Sequence, residues 1–116
     1  MANTFKNYTS ASVGTSPVTT YTVPSATTSV LIGCTVANTT ASGIVVDVQV
    51  AGVYLIKDAP IPTGSALSVL DGKVILETTD TIVVTSDTAS SADVIASVLE
   101  QTECQDTLVK VDRLSM

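Results

Sequence analysis

The sequence contains no histidine, no tryptophan and only two cysteines among its 116 residues. Histidine is the side chain that most often transfers protons near neutral pH, so its absence removes the commonest general acid or base. Structural and catalytic zinc sites draw mostly on cysteine and histidine, and two distant cysteines cannot supply one. We therefore expect a protein that is not an enzyme and that holds no metal or cofactor.

Charged residues are also scarce, at 14% of the chain, and they give a formal net charge of −6 without forming an acidic block. Nucleic-acid binding needs a basic stripe that displaces counterions from phosphate, so we expect no nucleic-acid partner and, by the same reasoning, no anionic membrane surface. No apolar run approaches the roughly eighteen residues of a transmembrane helix.

The N-terminus lacks the cationic and apolar regions of a signal peptide, so we expect synthesis and assembly in a cytoplasm. Cysteines remain reduced in that compartment. Cys34 lies in an apolar segment and is predicted to be buried. Cys104 is flanked by Glu103 and Gln105 and could be exposed, and the sequence leaves open a disulfide between the two cysteines.

The residues that are abundant, Val, Thr, Ser, Ala and Ile, favour β-strands. Apolar side chains alternate with others over several short segments, which is the period of a half-buried strand. The clearest alternations place these residues on one face of their strands: Val30, Ile32, Cys34 and Val36 in one segment, and Ile44, Val46, Val48 and Val50 in the next.

Turn residues divide these segments. Ala51-Gly52 and Asp71-Gly72 each predict a hairpin, and Asp71-Gly72 is the stronger signal. Pro60 and Pro62 exclude a central strand and predict an edge or a crossing connection. Residues 90–103 could form a helix, but a strand is favoured there.

About eight short antiparallel strands with regular turn signals predict an all-β, single-domain β-sandwich, with the jelly roll as one possible form. Within the chain we expect an N-terminal arm or irregular segment at residues 1–16 and the β-sandwich domain at 17–102. Residues 103–116 are expected to form a C-terminal extension or one more strand.

Catalytic and small-ligand sites find little support in the residues. Serine and threonine are plentiful, but no histidine could activate one as a nucleophile. Most aspartates flank turns, where they bond their own backbone, so a carboxylate pair or a calcium site is a minor alternative. A carbohydrate-binding module is another minor alternative, because the three tyrosines are scattered and tryptophan is absent.

Residues 57–82 resemble a segment found in small virion structural proteins of tailed bacteriophages. The resemblance rests on the turn Pro62-Thr63-Gly64, the strand after it, and the second turn Leu76-Glu77-Thr78-Thr79-Asp80-Thr81, in which Thr79 stands where glycine is common. The opening residues 1–6 and the loop Asn38-Thr39-Thr40 are similar too, so that the likeness covers most of residues 1–102.

This resemblance implies a capsid decoration or cement protein on the virion surface that bridges and stabilises major capsid subunits, working as a homo-oligomer, specifically a homotrimer. The alternative is a tail, baseplate or fibre-knob protein that contacts other tail proteins or a host receptor. We expect the two terminal segments to become ordered on binding. The predicted contact residues are Asn3, Phe5, Lys6, Tyr8, Leu108, Val109, Val111 and Leu114.

Overall fold

A computed structural model describes residues 2–70 and 72–102 of the chain, and all regular secondary structure within these ranges is β-strand. The nine strands are β1 (Ala2–Val13), β2 (Val18–Thr22), β3 (Thr27–Asn38), β4 (Ile44–Val50), β5 (Val53–Ile61), β6 (Ala66–Ser68), β7 (Val74–Leu76), β8 (Thr81–Ser86) and β9 (Ala92–Thr102). They form two antiparallel sheets. One has five strands in the order β1-β9-β3-β6, with β7 also paired to β3, and the other has four in the order β2-β8-β4-β5.

The strand order is that of a jelly roll. The chain forms one long hairpin whose turn joins β4 to β5, and successive pairs outward from that turn are β3 with β6 and β7, β2 with β8, and β1 with β9. Rolling up this hairpin places β9 beside β3 and β8 beside β4. The predicted all-β, single-domain β-sandwich is confirmed, and the jelly roll is its form.

The core lies between the two sheets and is almost entirely aliphatic. In β4 the alternation predicted from sequence is confirmed, with Ile44, Val46 and Val48 buried. Valines and alanines of β9 face them from the other sheet, and the side chains from Ala92 to Val98 alternate between buried and outward. Among the described residues, the one fully buried aromatic side chain is Tyr21. The sheets are therefore held together mainly by aliphatic side chains, each of which contributes about 1.5–3 kcal/mol when it is buried.

The expectation of an irregular N-terminal segment is wrong. Residues 2–13 form β1, a strand of 12 residues that pairs with β9 from Ala2 opposite Thr102 to Val13 opposite Ala92. The segment lacks an apolar period because β1 is a sheet edge, and of the side chains from Asn3 to Val13 most are in solvent and Val13 alone is fully buried. Among the described residues, β1, β3 and β9 are longer than the short strands expected.

The predicted face of β3 is wrong in its first half. A register shift between Leu31 and Gly33 marks a β-bulge, and the bulge reverses which alternate residues face the core. Leu31 is buried and Ile32 is 41% exposed, whereas Cys34 and Val36 are buried as predicted.

The hairpin predicted at Asp71-Gly72 is wrong as well. The strands on either side of it, β6 and β7, do not pair with each other, and each pairs with β3 instead. Together they form one interrupted edge strand, because β3 offers a free edge long enough for both. Asp71 itself lies outside the described residues.

The other turn and edge predictions are confirmed. Ala51 and Gly52 form a two-residue hairpin loop in which both φ angles are positive, at 54° and 80°. Pro60 lies in β5, an edge strand. Proline has no backbone N–H to donate, and an edge strand tolerates this because its outer side pairs with no further strand. Residues 92–102 form a strand rather than a helix, and the predicted extension at 103–116 lies outside the described residues.

Candidate interaction surface

The predicted contact residues on β1 divide between two places. Phe5 is 73% exposed on the outer side of the five-stranded sheet, and Asn3 occupies the same side two positions earlier. Lys6 and Tyr8 have the opposite parity, and both contact Glu100 between the sheets. The other predicted contact residues, Leu108, Val109, Val111 and Leu114, lie outside the described residues.

The outer side of the five-stranded sheet carries an apolar row that crosses four strands. Phe5 of β1 pairs with Leu99 of β9, Leu99 pairs with Val30 of β3, and Val30 pairs with Ile75 of β7. Residues paired in register lie side by side on one face of a sheet. Phe5 and Ile75, at the two ends of the row, are 73% and 66% exposed.

This outer face is almost free of charge. Its strand positions alternate with the buried ones, and they are Asn3, Phe5, Asn7, Thr9, Thr28, Val30, Thr35, Ala37, Ala66, Ser68, Ile75, Asp93, Ile95, Ser97, Leu99 and Gln101. Among them only Asp93, near one end of β9, is charged, and its carboxylate accepts a hydrogen bond from the Ser12 backbone N–H. We call these positions, together with Ile32, the outer face.

A shallow recess of about 310 Å³ lies beside the apolar row, lined by Phe5, Lys6, Asn7, Ile32, Ser97 and Val98. It lies at the β3 bulge, where Gly33 faces Ser97 and contributes no side chain. Ser97 donates a hydrogen bond to the Asn7 amide oxygen at 2.6 Å on the same face. The recess therefore combines the apolar side chains of Phe5, Ile32 and Val98 with the Asn7–Ser97 pair and Lys6.

Glu100 forms the main polar contact between the sheets. Its Oε2 accepts hydrogen bonds from the Tyr8 hydroxyl at 2.8 Å and the Tyr21 hydroxyl at 2.7 Å. The two rings lie with centroids 4.3 Å apart, and the Tyr21 hydroxyl also bonds the Ser29 hydroxyl at 2.6 Å. Lys6 Nζ lies 3.6 Å from Glu100 Oε1. We call these five residues the Glu100 cluster.

The cluster fixes the protonation of its members. Burial alone would raise the pKa of Glu100. The hydrogen bonds from Tyr21 and Tyr8 and the charge of Lys6 together outweigh this effect, so the pKa lies below its ordinary value. Burial, together with the bond to Glu100, raises the pKa of Tyr8 to about 12. Glu100 is therefore a charged acceptor and the tyrosines are neutral donors at physiological pH.

The outward side of the four-stranded sheet is different in character. Asp47 accepts a hydrogen bond from the Asp58 backbone N–H at 2.6 Å, at a bulge where Asp58 has a φ of 55°. Lys57 lies 3.5 Å from Asp58 and 5.1 Å from the centre of the Tyr54 ring. The carboxylates of Asp58 and Asp47 raise the pKa of Lys57. This sheet therefore presents charges of both signs to solvent, where the outer face presents almost none.

Sequence reasoning missed Leu99, Val30 and Ile75 as surface residues. One signal was present in β9, where Ile95 and Leu99 lie on the side opposite the buried Val94 and Val98. A strand with large apolar side chains on both faces in a two-layer fold exposes some of them. The row itself depends on pairings between strands far apart in sequence.

Within residues 2–70 and 72–102 no three Cys, Asp or Glu side chains are grouped closely enough to hold a metal ion. No helix in the same ranges has the length and apolarity to cross a membrane. Cys34 is a buried thiol, and Cys104 lies outside the described residues.

Comparison with protein-family models and with curated protein sequences gives no match. Among solved structures, a chain of the Bacillus endospore appendages, a family of disulfide-linked pili, is 12% identical with a TM-score of 0.48, and the alignment covers 87% of each chain. The VP2 subviral particle of infectious bursal disease virus is also 12% identical with a TM-score of 0.48, over 86% of this chain and 32% of the viral one.

Proposed function

We propose that this protein is a structural subunit of a bacteriophage virion, specifically a capsid decoration protein that bridges and stabilises major capsid subunits and acts as a homo-oligomer. The observation that carries the proposal is the outer face, on which Phe5 and Ile75 are largely exposed in a row of apolar side chains. Monomeric proteins rarely leave contiguous apolar surface uncovered, and such a surface is typical of protein–protein contact sites.

Two further observations support a role in assembly. The jelly roll is a fold that viral capsid domains use, although lectins use it too. The outer face also combines depletion of charge with an aromatic anchor, which is the composition of an interface core. The phage assignment itself rests on the sequence resemblance of residues 57–82.

A lectin-like role is less well supported. Sugar binding by stacking needs exposed aromatic rings close together, and the two most exposed rings, Phe5 and Tyr54, lie on different sheets. The Tyr54 ring is already approached by Lys57. Contact with protein subunits accounts for the outer face without such a ring platform.

The test compares virions with and without this chain. We expect particles that lack it to lose density from the capsid surface and to release their genome at a lower temperature, and we expect purified chain added back to restore both. Unchanged capsids with altered tails would overturn the decoration role and support the tail alternative. Unchanged whole particles would overturn both.

A further inference from the structure

We propose that the outer face binds a second copy of this chain, so that two five-stranded sheets pack face to face about a two-fold axis. This inference rests on the proposed assembly role and names the surface and the partner, and it puts a two-fold pair in place of the homotrimer that the resemblance implies. In such a contact both copies use the same face, so the face must be complementary to itself in shape and charge.

The low charge of the outer face allows a second copy to bind there. Every copy carries a formal net charge of −6, so two copies repel wherever carboxylates face each other. The outer face keeps this repulsion small, because Asp93, near one end of β9, is its only charged strand position. Lys73 and Glu77, just beyond the ends of β7, would lie at the rim with opposite signs.

The size of the outer face fits a stable pair. Four strands spaced about 4.8 Å apart and eleven residues rising about 3.3 Å each give a projected area of about 700 Å² per copy. Two copies would bury about 1,400 Å² in total, within the range of about 1,200–2,000 Å² that specific interfaces bury. Sheets packed in this way lie about 10 Å apart and interdigitate their side chains.

The apolar row matches itself under the symmetry. With a two-fold axis parallel to the strands and centred on the row, Phe5 of one copy faces Ile75 of the other, and Leu99 faces Val30. The recess at the β3 bulge gives a large protruding side chain a place to enter, which is how an aromatic anchor is usually buried in an interface.

The test is sedimentation equilibrium of the full chain and of three variants with the same added charge. Phe5→Lys and Ile75→Lys place a lysine at either end of the row. Val53→Lys is the matched control, because Val53 is 68% exposed but lies on β5 of the other sheet. Thermal unfolding of each variant checks that the fold is retained.

We expect the wild type and Val53→Lys to have twice the chain mass of 11.9 kDa, and the two outer-face variants to dissociate at least ten-fold more readily. A monomeric wild type, a trimer, or a mass that the outer-face lysines leave unchanged would overturn the pairing.

The proposed function is tested separately by add-back to virions. A Phe5→Lys chain that keeps the wild-type mass but no longer binds particles would show that the outer face contacts another protein. Pairing without particle binding would overturn the function alone.

Discussion

Tyr21 donates a hydrogen bond to Glu100 across the two sheets, with 2.7 Å between the hydroxyl oxygen and Oε2. Tyr21 belongs to β2, at the edge of the four-stranded sheet, and Glu100 belongs to β9 of the five-stranded sheet. Tyr8 of the edge strand β1 donates to the same oxygen. One buried carboxylate therefore joins three strands at the side of the sandwich where β1 and β2 lie.

Replacing this carboxylate should be costly. We expect Glu100→Ala to lower the free energy of unfolding by about 2–3 kcal/mol, because Tyr8 and Tyr21 lose a charged acceptor and buried donors are left without a partner. Urea denaturation measures the change. Glu77→Ala is the control, since Glu77 is exposed, and it should change stability by less than about 0.5 kcal/mol. Equal effects of the two substitutions would contradict the role of the Glu100 cluster.

The Glu100 cluster also predicts acid sensitivity. The pKa of Glu100 is lower in the folded protein than its ordinary 4.5, so the unfolded chain binds the proton more readily. The stability from this group is fully present above pH 4.5 and is lost as the pH falls through the folded pKa. We expect the difference in unfolding free energy between wild type and Glu100→Gln to shrink as the pH is lowered from 7 to 3. A difference that stays constant over this range would show that folding does not shift the pKa of Glu100, and a difference that grows would show that the fold favours its neutral form.

The sequence predicts the β-sandwich far better than it predicts the surface. Val46, Val48 and Val50 alternate with Asp47 and Gln49, so the buried face of β4 follows from the period. The outer-face row does not, because it exists only once four strands from distant parts of the chain are in register. The Glu100 cluster lies between these cases. Glu100 continues the inward alternation of Val94, Ala96 and Val98, which marks a buried carboxylate, but its tyrosine donors come from strands that the sequence does not pair with it.

The β3 bulge explains the wrong prediction for that strand and can be tested with neighbouring residues. Simple alternation places Ile32 with the core and Leu31 opposite, whereas Leu31 is fully buried and Ile32 is 41% exposed. We expect Leu31→Ala to cost about 2–5 kcal/mol, the range for a buried leucine. Ile32→Ala should cost less than about 1 kcal/mol in the isolated chain. The reverse order in urea denaturation would mean that β3 has no bulge at this point.

The thiol of Cys34 should be inert while the protein is folded. Burial raises its pKa to about 11, so little thiolate forms near neutral pH, and the side chain is only 1% exposed. Thiolates rather than thiols react with alkylating agents. We expect iodoacetamide at pH 8 to modify Cys34 only in denaturant, as read from the mass of its peptide. Rapid modification in the absence of denaturant would show that β3 opens readily.

The hairpin between β4 and β5 offers a stabilising change. Ala51 has a φ of 54°, a left-handed conformation that costs most side chains free energy, while Gly52 beside it tolerates its φ of 80°. Asparagine accepts this conformation, and Asn-Gly is the preferred pair for a two-residue turn with both φ angles positive. We expect Ala51→Asn to raise the free energy of unfolding by about 0.5–1 kcal/mol, seen as a higher urea midpoint with an unchanged slope. Ala41→Asn is the control, since Ala41 is exposed in a loop and has no positive φ, and it should leave the midpoint unchanged. If both variants shift the midpoint equally, the gain comes from the asparagine side chain and not from relief of the backbone at Ala51.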